Sequence, residues 1–134
     1  IAQRVPENDL MLYSDRFVAE GAITKNRLVK FGSTDAKVVQ ASTVTDRIVG
    51  VFIGPSDAAD TDAVEVCMLG RCNLEVSGSI GRGMTLTTNA NGQGVNAVPP
   101  PGANNKVAAM ALISGTNTTI PVLVYSGWIQ GASA

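Results

Sequence analysis

The sequence predicts an all-β fold: one compact antiparallel β-barrel or sandwich of short strands, preceded by an extended N-terminal arm. Three observations carry this. Apolar residues make up 45% of the chain, yet they recur in short runs bounded by Gly, Pro, Asn and Asp, with no sustained helical stripe. Aromatics are only 4%, so the core must be built from Val, Ile, Leu, Ala and Met. Fourteen glycines supply turn positions between the runs. A chain of 134 residues is sized for one domain, and it buries roughly two-thirds of the surface its unfolded form exposes. Neither a metal nor a disulfide is needed for it to fold.

Residues 1–20 have an irregular pattern: Pro6, several acids, the cluster Leu10, Met11, Leu12, Tyr13, and then Arg16 and Phe17. The cluster has no obvious partner nearby, so the segment reads either as an arm that packs on something else or as the first strand. We divide the chain into an arm (1–20), a barrel (21–127) and a C-terminal tail (128–134). Within the barrel, "RLVKF" and "KVVQAS" are short strands, and "RIVGVFIG" is the near-continuous apolar run of a strand buried on both faces. "VEVCML" and "NLEVS" alternate with period two around Gly70 and read as a hairpin with a Leu69-Gly70-Arg71 loop. That register puts Cys72 in the core and Cys67 on the opposite face, too badly oriented to bond to each other. "MTLTT" and "GVNAV" flank "NANGQ", where Asn91-Gly92 signals a hairpin. "PPPGANN" is an exposed loop, and "KVAAMALIS", helical by propensity alone, is assigned as a strand on the argument that follows. "TIPVLVYSG" closes the domain, with Pro121 at an edge or bulge.

The chain repeats a phrase. "GAITKNRLVKF" starts at Gly21 and "GSIGRGMTLTT" at Gly78, 57 positions later, the same spacing as Gly70 to Gly127. "RIVGVFIG" aligns with "KVAAMALI" at an offset of 59, and "DAVEVCMLG" parallels "TIPVLVYSG". The order of elements matches in both halves, which makes "KVAAMALIS" a strand. An internal duplication and the chance self-resemblance of β-rich chains both account for the pattern.

Composition excludes several functions. The formal charge is −1, from 10 basic and 11 acidic residues, and the basic residues are scattered; nucleic-acid binders carry a basic excess. No stretch approaches a membrane span. The start has no signal-peptide pattern, and Ile1 in place of Met points to a chain that begins after missing or removed residues. Histidine is absent, which removes His-based triads, Cys-His dyads and most transition-metal sites. "GSIGRGM" lacks the strand–turn–helix setting of a phosphate loop and reads as turn chemistry. Asp57, Asp60 and Asp62 could collect a hard cation, but their spacing is not that of an EF-hand, and a solvated loop needs only polarity. Glu65 and Glu75 would neighbour each other on the outer face of the hairpin, as solubilising charge rather than a catalytic pair. We assign no catalytic residue, no metal site and no cofactor.

The segments "AEGAITKNRLVKF", "DRIVGVFIG", "VEVCMLGRCNLEVSGSIGRGMTLTTNANGQGV", "KVAAMALISG" and "IPVLV" resemble the small capsid cement, or head decoration, proteins of tailed bacteriophages. The resemblance spans about residues 18–125. It departs from the family at Ala109, where Gly is common, and in the Pro99–Pro101 insertion. It implies a structural virion protein, made in the host cytoplasm and bound to the outside of an icosahedral shell. Such a protein clamps neighbouring major capsid subunits and commonly forms a homotrimer, with neither nucleic acid nor membrane as partner. Within that reading the arm is the capsid-binding element, through Arg4, Leu10, Met11, Leu12, Tyr13, Arg16 and Phe17. Trp128 is a candidate subunit contact, since Trp favours interface centres. A module of a phage tail or fibre, or a carbohydrate-binding domain, is the alternative; six scattered aromatics are a thin supply for stacking on sugars.

Overall fold

A computed structural model describes residues 10–131, with side chains from residue 12 onward. The described residues form eleven strands and no helix. These are β1 (Leu10–Ala19), β2 (Leu28–Phe31), β3 (Lys37–Gln40), β4 (Ile48–Phe52), β5 (Ala63–Glu75), β6 (Ser79–Ile80), β7 (Thr85–Thr88), β8 (Gly94–Asn96), β9 (Asn104–Ala111), β10 (Gly115–Thr116) and β11 (Thr119–Gln130).

β1, β3, β2, β4 and β5 pair in that order, and β1 also pairs with β5, so the five strands close into a barrel. Closure leaves this ring without an open edge. Its interior is filled by Ile23, Val29, Val38, Val49, Val64 and Val66, all buried, with Phe52 and Ala58. The remaining order, β5-β11-β9-β7-β8, builds a second unit of the same design.

The duplication is written in the hydrogen bonds. Leu28 pairs with Val51 and Val29 with Gly50; Thr85 pairs with Met110 and Leu86 with Ala109. β2 therefore maps onto β7 at an offset of 57, and β4 onto β9 at 59. Val51↔Cys67 recurs as Met110↔Leu123, and Val18↔Ala63 as Glu75↔Thr119. The second half of β5 thus plays in unit two the part β1 plays in unit one. The parallel ladder from β1 to β3 recurs as a single bridge, Val76 to Gly94. Even the brackets repeat: Gly21 N–H donates to Asp60 Oδ1 at 2.8 Å, and Gly78 N–H to Asn117 Oδ1 at 2.7 Å. Gly21 (φ 83°) and Gly78 (φ 81°) hold the same left-handed turn, a conformation Gly adopts without strain.

The units share one core as well as one strand. All five residues of β4 are buried, as its apolar run predicts. Val49 and Phe52 point into the first barrel, while Ile48 and Val51 join Leu28, Ala41 and Cys67 on its outer wall. That wall packs into the second unit's interior, built from Leu74, Val76, Ile80, Leu86, Ile120 and Val122, as one continuous apolar cluster. Arg27 and Glu75 add a polar tie across the same junction: their ion pair is 3.1 Å, Gln93 donates to Glu75 at 2.6 Å, and Arg27 donates to the Asn91 carbonyl at 2.7 Å.

Three expectations are corrected. The Leu69-Gly70-Arg71 segment is not a hairpin loop; β5 runs straight through it. Both halves of β5 already have neighbours, β1 and β4 before Gly70 and β11 after it, so no turn is needed. The positive φ of Gly70 (113°) serves an irregularity instead: the ladder with β1 skips Met68 and Leu12, and the face that meets the shared core changes from Cys67 to Cys72 and Leu74. Cys67 is consequently buried like Cys72, because the second unit covers the wall on which it sits. Second, residues 10–19 of the expected arm are a strand of the barrel, the second of the two readings the sequence left open. Third, the expected tail from residue 128 is still β11, where Trp128 pairs with Lys106 and Gln130 with Asn104.

Candidate interaction surfaces

The three aspartates of the loop after β4 are engaged in holding loops. Asp57 accepts from the Lys25 N–H at 3.0 Å, Asp60 from Gly21, and Asp62 from the Ala59 N–H at 2.8 Å. In the second unit Asn117 replaces Asp60 and makes the same bond, so the role there is geometric and needs no charge. Among the described residues no group of three or more His, Cys, Asp or Glu is placed to hold a metal ion. Glu65 and Glu75 do not neighbour each other; they lie ten residues apart on one extended strand, roughly 30 Å. Glu75 is held below the ordinary carboxylate range: burial raises it, but the bonds from Gln93 and Arg27 outweigh that. Asp46 is likewise low, since the Ser42 and Thr43 amides and Lys30 overcome its desolvation. Both shifts arise from bonds that tie the carboxylates to neighbouring loops.

Of the residues expected to contact a shell, Arg4 lies outside the described residues. Leu10 and Met11 open β1, in register with Arg71 and Gly70. Leu12 (73% exposed) and Tyr13 (53%) stand in solvent, and Tyr13 faces Leu69 across the ladder, itself 43% exposed. Tyr13 and Leu69 thus form an exposed apolar pair at the end of the first barrel. Arg16 is exposed and reaches Glu65 at 3.4 Å; a pair this open contributes little to stability. Phe17 does not join the patch. It packs against the first barrel's core, where alternation along β1 places it with Ala19.

Trp128 is 54% exposed, with the Lys106 ammonium 5.4 Å from its ring centroid. Lys106 also donates to Ser126 Oγ at 2.5 Å, and burial pulls its pKa below the ordinary Lys value. One side of the indole is therefore committed to an internal cation–π contact, worth about 0.5–1 kcal/mol at such a site. Leu69 was not singled out from sequence, because the hairpin register hid its place beside Tyr13.

A groove of about 470 Å³ lies beside the loop that follows β4, lined by Arg16, Pro55, Asp57, Asp62 and Glu65 with Phe52 beneath. Phe52 is only 4% exposed, so the groove offers no open aromatic face for a sugar ring.

No family model matches the chain, and no curated protein matches it. A solved structure does: the crystal structure of the N base of the head fiber gp8.5 in bacteriophage phi29 is similar over 84% of this chain and 93% of that one. The TM-score is 0.63 at 19% sequence identity. At that identity the likeness is one of fold: the chain shares the all-β architecture of this head-fiber base.

Proposed function

We propose that the protein is a non-enzymatic structural component of a phage virion. It sits on the outer surface of the head and clamps neighbouring major capsid subunits, acting as a homotrimer. The observation that carries this reading is the shared fold with a protein whose own name places it at the base of a head fiber, along most of both chains. The near-neutral charge and the use of the carboxylates as loop braces agree with a part that meets protein rather than genome or substrate. Many identical weak contacts around a shell would add through avidity.

We assign the shell contact to the leading residues, Arg4 through Met11. Strand pairing begins at Leu10, so deleting residues 1–9 removes contacts without removing a described strand. The truncated protein is expected to keep its melting temperature and to lose attachment to particles stripped of it. Normal attachment by the truncated protein would place the contact elsewhere.

A second reading has a specific basis: the same likeness names a fiber base, so the chain could seat a fibre rather than clamp a shell. The two part on one measurement. Removing a clamp lowers the temperature at which particles release their genome; removing a fibre base leaves that temperature unchanged.

A further inference from the structure

We propose that the Trp128 face of β11 docks an acidic segment of another protein, whose carboxylate completes the half-satisfied ammonium of Lys106. The argument starts from alternation. Trp128 lies directly across the ladder from Lys106, and Gln130 across from Asn104. Residues two apart on a strand share a face, so these four side chains stand together on one side of the β9–β11 ribbon. Trp128, Gln130 and Asn104 are exposed, but Lys106 is only 9% exposed.

A cation that far from solvent normally holds an anion. Two other cations of this chain obey that rule: Arg27 pairs with Glu75 at 3.1 Å, and Lys30 with Asp46 at 3.2 Å. Lys106 does not. Among the described residues its ammonium meets one hydroxyl, Ser126 Oγ, and one ring, that of Trp128. An ammonium carries three N–H donors, so two are left without a protein acceptor. Burial pulls the Lys106 pKa below the ordinary value, and no carboxylate pulls it back. The fold does not impose this arrangement: Arg47 holds the matching place of unit one, at the offset of 59, and stands exposed. Ser126 and Trp128 are both exposed, so the ammonium sits just beneath the surface, within reach of a group laid over them.

Charge and shape together set the occupant. The withdrawn cation calls for an anion. The indole beside it offers the apolar contact that anchors protein interfaces, and Asn104 and Gln130 offer amides to a partner's main chain. A carboxylate side chain carried on a peptide meets all three. The chain's own acids are poor candidates, since Asp57, Asp60, Asp62 and Glu75 already brace its loops. The inference goes beyond the assembly reading and does not depend on it.

The test uses the full chain in solution, with Trp128, its only tryptophan, as the reporter. Two probes are titrated at low salt while tryptophan fluorescence is followed: the acetylated, amidated tripeptide Gly-Glu-Gly, and the same peptide with Gln in place of Glu. The Glu peptide should give a saturable change at millimolar concentration that fades as salt is added. The Gln peptide should give none. Lys106→Met should weaken the Glu peptide by about tenfold or more, and Lys106→Arg should keep it. Circular dichroism checks both variants; should Lys106→Met fail to fold, the Glu and Gln peptides decide alone. Equal titrations by the two peptides, no saturable change with either, or undiminished binding by Lys106→Met overturns the proposal. So does inorganic phosphate binding as tightly as the Glu peptide, which would make this a general anion site. So does a fluorescence change when the chain is diluted without peptide, which would seat a second copy on the face. No particle enters the test, so its failure leaves the capsid reading standing, and failure of the capsid reading leaves this result standing.

Discussion

At the residue scale, Glu75 is the side chain on which the junction of the two units turns. It takes bonds from Arg27 in the turn before β2 and from Gln93 in the turn before β8. Its counterpart in unit one is Val18, so this tie has no internal copy and belongs to the junction alone. Glu75→Gln is expected to cost on the order of 1–3 kcal/mol at neutral pH, the usual worth of hydrogen bonds to a charged group. The pH dependence follows from the direction of the shift. A carboxylate held low in the folded state stabilises above the ordinary Glu value of about 4.3, and that contribution fades as pH falls through its depressed folded value. Denaturant titrations across that range should show a shallower acid limb in Glu75→Gln than in the unmodified chain. Gly50 makes the second residue-scale case. A Cβ there would meet the Cys67 carbonyl oxygen at 2.0 Å, so β4 and β5 approach each other only because Gly50 has no side chain. Gly50→Ala should lose at least about 1–3 kcal/mol, while Ala109→Gly at the matching site of unit two should lose only about 0.5–1 kcal/mol. Equal losses in the two melts would mean that the matched sites are not packed differently.

At the element scale, β1 and β5 decide the architecture. β1 closes the first barrel, so deleting residues 1–19 should destroy the cooperative melt that deletion of residues 1–9 preserves. A folded product from the longer deletion would show that closure is dispensable. The sequence made most strands legible, β4 above all, because an apolar run buried on both faces looks the same in print as in the fold. It also carried the duplication: the offsets of 57 and 59 read from Gly21, Gly78 and the two apolar runs are those of the strand registers. β5 was not legible. Gly70 offers the same positive φ to a turn and to a strand irregularity, and only the presence of β11 beside the second half settles which. The misread hairpin then misplaced Cys67 and hid Leu69. The role of β1 could not be read locally either, since its partners lie at residues 63–71 and 37–38. Of the candidate site, Leu12, Tyr13 and Trp128 were found as exposed apolar residues, whereas Phe17 looked the same in sequence and belongs to the core.

At the scale of the whole molecule, a closed five-strand barrel and a second unit of matching strand order share a central strand and a continuous core, and neither can open without exposing the other. Thermal unfolding should therefore be one transition, with calorimetric and van't Hoff enthalpies equal. Two separated transitions would mean that the shared cluster around Leu28, Val51 and Leu74 does not couple the units. A double module of this kind is suited to repetition over a lattice of identical sites. The central claim is that the lattice is the outside of a phage head. The measurement that tests it most directly is localisation of the protein on purified particles from the source lysate. It would be quantified against the major capsid protein and placed by electron microscopy. The account predicts many copies, with density on the outer surface of the head at three-fold positions. Absence from the head, or a few copies confined to the tail, would contradict it.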